Sequence, residues 1–192
     1  MTWPPHELVL RTPDLELRGM TEDLARQLAA VVPADLEHHP RLLHLSPGAD
    51  VLQAYWRNNG TWSTDDWVLE LAVLRDGRPI GLQALEGAGF AEKRVVDTHS
   101  WLVADERGKG WGKQMRAAVL VLAFAHLGAT AAITEAWSDN AASLGVSRAL
   151  GYVDNGIDLH PREMQRLILK DFTSPYDVTV AGVEPCLPLF GL

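Results

Sequence analysis

A chain of 192 residues fits one domain, long enough to bury about 70% of its unfolded surface and to hold a core without staples. Its net charge of -8 and pI near 5.3 exclude the clustered Lys and Arg that nucleic acid or an anionic membrane surface would require, and mildly favour a cationic partner such as an amine. The single cysteine, Cys186, excludes an internal disulfide, and no C-x-x-C or His/Cys cluster suggests a metal.

Trp3, Pro4, Pro5 and Glu7 stand where a signal peptide would need a basic start and an apolar core, and the longest apolar run, 117–125, is far too short to span a bilayer. A cytoplasmic setting is therefore expected. Residues 8–10 and 15–17 alternate as short strands. Thr21 is placed to cap a helix with Glu22 and Asp23 in its first turn, running to about Val32 and stopping at Pro33. His38, His39 and His44 follow at spacings unlike any metal-ligand pattern, and read as a loop or a second short helix.

Val51, Leu52, Tyr55 and Trp56 recur at helical spacing over 50–59, with Asn58-Asn59-Gly60 as the stop. Segments 67–74 and 80–85 read as a hairpin across 75–79, where Asp76-Gly77 is a strong turn signal. After a loop at 87–90, a strand over 95–104 delivers the chain to Arg107-Gly108-Lys109-Gly110-Trp111-Gly112. The helix over 112–127 is apolar nearly all round, which marks it as buried, and Gly128 ends it. A strand at 131–137, a helix at 140–150 and a strand pair at 152–157 and 164–170 complete the order. The tail, 171–192, holds Pro175, Pro185 and Pro188 among apolar residues and is expected to pack on the domain or on a dimer partner. This mixture of strands and helices, without repeat or linker, predicts one α/β domain over 1–192 with a single curved sheet and a core of about 8–170.

A glycine-rich loop that enters a helix exposes backbone N–H groups where the helix dipole is positive, and so receives phosphates; a plain tight turn would carry similar glycines. The spacing excludes a Walker A loop, because Lys113 is followed by Gln114, and it excludes the dinucleotide fingerprint, because the glycines fall at 108, 110 and 112. What fits is Arg-x-x-Gly-x-Gly, read as Arg107, Gly110 and Gly112. Downstream, Asp139-Asn140-Ala141-Ala142-Ser143 leads to Leu150-Gly151-Tyr152. In these two motifs the chain resembles the Gcn5-related N-acetyltransferases, and within them the ribosomal-protein-alanine acetyltransferase branch typified by RimJ and RimL. The resemblance is strongest over 97–152.

It implies acetyl-CoA as cosubstrate and a mixed, mostly antiparallel sheet whose central strands splay to admit the pantetheine arm. It places the cofactor on Leu102, Val103, Arg107, Gly108, Lys109, Gly110, Trp111, Gly112, Lys113, Asn140 and Ser143. Ser143 is then the leading proton donor to the departing thiolate, with Tyr152 as the fallback. Gln114 stands where the branch often has a Glu, so that position supplies no base. Asp97, His99 and Trp101 share one face of their strand, and Glu135 and Trp137 one face of theirs; His99 titrates in the useful range, and Glu135 is a carboxylate on the splayed gap. The expected reaction is acetyl transfer to a primary amine of a protein or peptide N-terminus, an amino acid or another small molecule, by direct attack in a ternary complex. A non-catalytic acyl-CoA-binding regulator of the same fold is the alternative. Trp56, Trp62 and Trp67 are expected either to wall the acceptor site or to fill the core and a dimer seam.

Overall fold

The computed structural model describes residues 2–36, 46–158 and 163–192. In chain order its elements are β1 (Val9–Arg11), β2 (Glu16–Gly19), α1 (Glu22–Ala29), α2 (Pro47–Gly60), β3 (Asp66–Arg75), β4 (Arg78–Ala88), α3 (Phe90–Lys93), β5 (Val95–Leu102), α4 (Trp111–Val121), β6 (Ala131–Trp137), α5 (Ala141–Ala149), β7 (Val153–Asp158), β8 (Met164–Leu169) and β9 (Thr179–Ala181). His38, His39 and His44 lie outside the described residues.

Local chemistry explains most of the boundaries. Thr21 Oγ1 accepts from Leu24 N and caps α1, but the helix ends at Ala29, short of the expected Val32. Pro33 disfavours helical backbone at Val32, and Val31 is exposed, so packing does not prolong the helix. α2 begins at Pro47, earlier than the expected Asp50, because Ser46 accepts from Ala49 N and proline suits the first helical position. Asp76 and Gly77 take φ of 50° and 78°, the left-handed pair that a two-residue hairpin turn needs between β3 and β4. Where a loop was expected near 87–90, Phe90 starts the short α3 and buries its ring completely. α4 continues as a π-helical turn over Leu122–His126 before Gly128, at φ 69°, reverses the chain.

The strands form one sheet in the order β7-β8-β6-β5-β4-β3-β2-β1-β9. Every neighbouring pair is antiparallel except β5 and β6, which run parallel. Helices α1 and α2 cover one face, packing Ala25, Leu28, Val51 and Tyr55 on Ala72, Leu82 and Ala84. On the other face Met115, Ala118, Val119 and Leu122 of the α4 segment and Leu144 of α5 meet Leu69, Leu85, Val96, Ala132 and Leu167.

The tail lies on the domain: β9 extends the sheet beside β1, and a 3-10 turn over Glu184–Phe190 buries Cys186 and Phe190. Trp62 and Trp67 stack at 6.0 Å, Trp67 meets the Phe190 ring at 4.7 Å, and Trp62 Nε1 donates to Leu189 O at 3.0 Å. These two tryptophans are thus core residues that fasten the tail. Trp56 stands apart from them, 52% exposed on α2, so the three form no common wall.

Candidate active site

The expected splay is present. β5 and β6 pair only at Val95–Ala131, Val96–Ala132 and Asp97–Ile133; beyond that register both strands continue without pairing to each other. Two strands that part leave facing backbone edges free to bind an extended chain between them. The gap opens toward the loop after β5, where Leu102 closes the strand and Val103 is buried.

The glycines of that loop are required by conformation rather than by space. Gly108 and Gly110 take φ of 74° and 91°, and no atom lies within 4 Å of where a Cβ would stand at either. Gly110 precedes α4 without a capping side chain, so the first amides of α4 face outward from a positive helix end, the arrangement that accepts phosphate.

The cations of the loop are largely engaged with the protein. Arg107 grips Asp35 through two bonds, Nη1 at 2.6 Å and Nη2 at 2.9 Å, and its Nε donates to Leu102 O. Asp35 is correspondingly held below the usual carboxylate range by that bond. Buried Glu106 accepts from Arg78 at 2.6 Å, Lys109 Nζ at 3.1 Å and Trp111 Nε1 at 3.0 Å, and its pKa is lowered, first by the Lys109 bond. The Arg75 guanidinium lies 4.9 Å from the Trp111 ring. The side chains of Arg107, Lys109 and Trp111 therefore shape the loop, while Lys113 is exposed on the first turn of α4. Gln114 has a structural post: it accepts from Thr12 Oγ1 at 2.7 Å and donates to Asp14 at 2.7 Å, tying α4 to the β1–β2 turn.

One face of the parted strands, that of α1 and α2, is acidic. The registers Glu70–Ala84–His99 and Val68–Glu86–Asp97, continued from Asp97 to Ile133 and then Glu135, set these side chains on the same side. His99 Nδ1 lies 2.5 Å from Glu86 Oε1. Desolvation pulls the His99 pKa down, but the Glu86 bond and the charges of Glu86, Glu70 and Asp97 outweigh it and leave the imidazole raised. Burial pushes Glu70 up to about 7 and Asp97 up to about 6, partly offset by His99 in both cases. Glu135 is bonded by Arg166 Nε at 2.6 Å. Asp97, His99 and Glu135 were expected near the gap; Glu70 and Glu86 were not, and their signal was a carboxylate inside an apolar strand, as in Leu69-Glu70-Leu71.

The other face is cationic and rich in hydroxyls. Asn140 caps α5 by accepting from Ser143 N at 3.0 Å. Ser143 is half-buried, and one turn later Ser147 donates to its carbonyl at 3.1 Å. Tyr152 is buried beside Thr98 and Arg116; burial raises its pKa while the Arg116 charge opposes that, and its hydroxyl makes no hydrogen bond of good geometry. Arg116, also unexpected, is a guanidinium 3% exposed in the middle of apolar α4.

A fold of this kind with a phosphate-type loop at a splayed pair of strands defines an acyl-CoA-type transferase architecture. The family model described as acetyltransferase (GNAT) domain matches residues 14–153, and the chain belongs to that family and is an N-acetyltransferase. Among solved structures it is similar to Mycobacterium smegmatis RimJ in complex with CoA-disulfide, at 15% identity and a TM-score of 0.71, covering 88% of this chain and 90% of that one. It is also similar to a RimL ribosomal alpha-N-protein acetyltransferase in complex with coenzyme A, at 15% identity and a TM-score of 0.72 over 84% and 97% of the two chains. A chimera of the spermidine N-acetyltransferase SpeG from Vibrio cholerae and hSSAT shares the fold at 13% identity and a TM-score of 0.66, over 82% of this chain and 95% of that one.

Proposed function

We propose that this protein transfers the acetyl group of acetyl-CoA to a primary amine, by direct attack within a ternary complex. The observation that carries this reading is the parting of β5 and β6 past Asp97 and Ile133 beside the uncapped start of α4. In this reading the amides of residues 108–112 hold the pyrophosphate, Lys113 faces it as a counter-charge, and Leu102, Val103 and Asn140 line the pantetheine arm. Arg107, Lys109 and Trp111 keep the loop in its receiving shape through Asp35 and Glu106.

The acceptor approaches from the acidic face. An amine is mostly ammonium near neutral pH, so Glu86, Asp97 and Glu135 favour its arrival, and it must then lose a proton before it attacks. His99 is exposed, paired with Glu86 and raised in pKa, which suits it to take that proton directly or through water. Ser143 donates to the departing thiolate. A second reading gives that task to Tyr152, whose buried hydroxyl is without a well-formed bond beside Arg116. The acceptors in view are a protein or peptide N-terminus, an amino acid or another small amine, taken from the cytoplasm.

Release of CoA thiol from acetyl-CoA across a panel of amines, with calorimetry of CoA binding, tests the reading. Turnover with at least one amine is expected. Binding without thiol release for any amine would instead favour a regulator, and absence of binding would reject the cofactor.

A further inference from the structure

Arg116 is a guanidinium buried within an apolar helix. Its Nη1 points at Ser147 Oγ at 3.3 Å and Thr134 Oγ1 at 3.5 Å, its Nη2 at Ser100 Oγ at 3.4 Å, and its Nε has no partner. Among the described residues it makes no salt bridge, and burial lowers its own pKa. The titratable groups whose charges act on it are Tyr152, just before β7 and on its own face of the sheet, and Asp97, which lies across β5 on the other face. A guanidinium taken out of water and left on three long hydroxyl bonds is poorly repaid for its desolvation.

Its position explains what such a charge is for. Ser100 lies on β5 and Thr134 on β6, both just past the last paired register of Asp97 and Ile133, so the guanidinium spans the vertex of the splay. Beside it Tyr152 OH and Thr98 Oγ1, and Gln83 Oε1 at the register position opposite Ser100, are buried without a well-formed hydrogen bond. Buried polar groups this poorly satisfied call for a reason beyond packing, and a preorganised cation aimed at charge that develops in a reaction is one. The bond network also reaches Ser143 through Ser147.

We propose that Arg116 stabilises the negative charge that the reaction places on the CoA sulfur. This rests on the acetyl-CoA reading above. The amine lone pair bonds to the thioester carbonyl carbon and the carbonyl pair moves to oxygen. Collapse restores the carbonyl and breaks the C–S bond, whose electron pair leaves on sulfur. The amine proton goes to the acidic face, and the thiolate takes a proton from Ser143, which regains one from water. Arg116 offers the departing charge a fixed, already desolvated cation, which needs no reorganisation when the charge forms.

The test is the ionisation of CoA itself bound to the full chain, followed by thiolate ultraviolet absorbance against pH. The bound thiol is expected to be at least tenfold more ionised at a given pH than free CoA. Arg116→Lys should keep part of that shift and Arg116→Met abolish it, with CoA still bound in calorimetry. A bound thiol no more acidic than free CoA overturns the proposal with the wild-type protein alone, whether or not the Met variant folds. So does an Arg116→Met protein that melts at a lower temperature yet leaves the thiol ionisation unchanged, since that describes a strut. If CoA fails to bind at all, the acetyl-CoA reading falls first and takes this one with it.

Discussion

The two faces of the parted strands carry opposite chemistry within a few residues of each other. Toward α1 and α2 stand Glu70, Glu86, Asp97, His99 and Glu135; toward α4 and α5 stand Arg116 and the hydroxyls of Ser143, Ser147, Thr134 and Tyr152. Acetyl transfer from a thioester to an amine consumes a proton on one side of the carbonyl and releases one on the other. A sheet separates the two tasks at no cost, because alternate residues of one strand face opposite ways. Asp97 and His99 of β5 face α1 and α2, whereas Thr98 and Ser100, their immediate neighbours, face α4 and α5.

Breaking the cationic face should have the largest effect. Ser143→Ala is expected to lower turnover by ~10²-fold or more while CoA affinity changes little, as checked by steady-state rates and calorimetry. An unchanged rate would move the proton-donor role to Tyr152, and Tyr152→Phe would then show the loss.

On the acidic face the next largest effect is on stability. Glu70 is raised in the folded state from 4.5 to about 7, so its contribution is full below the unfolded value and is lost as pH rises through the folded one. Asp97 and His99, both raised, act in the same direction. Stability should therefore fall between about pH 4.5 and 7. Glu70→Gln should flatten that fall by roughly 2–3 kcal/mol in chemical denaturation. A profile of equal slope in the variant would show that Glu70 is not the group being strained.

Smaller again is the effect at His99, the proposed base. His99→Gln should lower kcat/KM by about tenfold, because water can still relay the proton, and should erase an acid limb lying above pH 6.5. Glu86→Gln should move that limb to lower pH, since the Glu86 bond is what raises the imidazole. The smallest effect belongs to the exposed Arg107–Asp35 pair, where Asp35→Asn should leave the melting temperature nearly unchanged and raise KM for acetyl-CoA a few-fold. A null result there would leave the loop's shape to Glu106 alone.

The cationic face was half legible in the chain. Asn140 and Ser143 announce themselves by a short spacing at a helix start, since a cap and the residue three after it are neighbours in any helix. Arg116 was hidden because a cation within an apolar helix reads equally as a snorkelling surface residue until its neighbours are known. On the acidic face, strand alternation placed Asp97 with His99, and Glu135 with Trp137, yet Glu86 and Glu70 reach His99 only through cross-strand register, which depends on partners far away in sequence. The three tryptophans show the same limit. Nothing local separates Trp56, exposed on α2, from Trp62 and Trp67, which owe their burial to a tail more than a hundred residues on.

The sequence by itself determined what depends on neighbours along the chain. The turn signal at Asp76-Gly77, the Thr21 cap, the glycine-rich loop entering a helix and the helices and strands between them are of this kind, because backbone sterics and capping act over three or four residues. Only the tertiary structure decided which side chains share a charge environment. The raised Glu70 and Asp97, the Glu86-held His99 and the unpaired Arg116 all arise from desolvation and from charges brought together across strands, and neither is a property of any short stretch of chain.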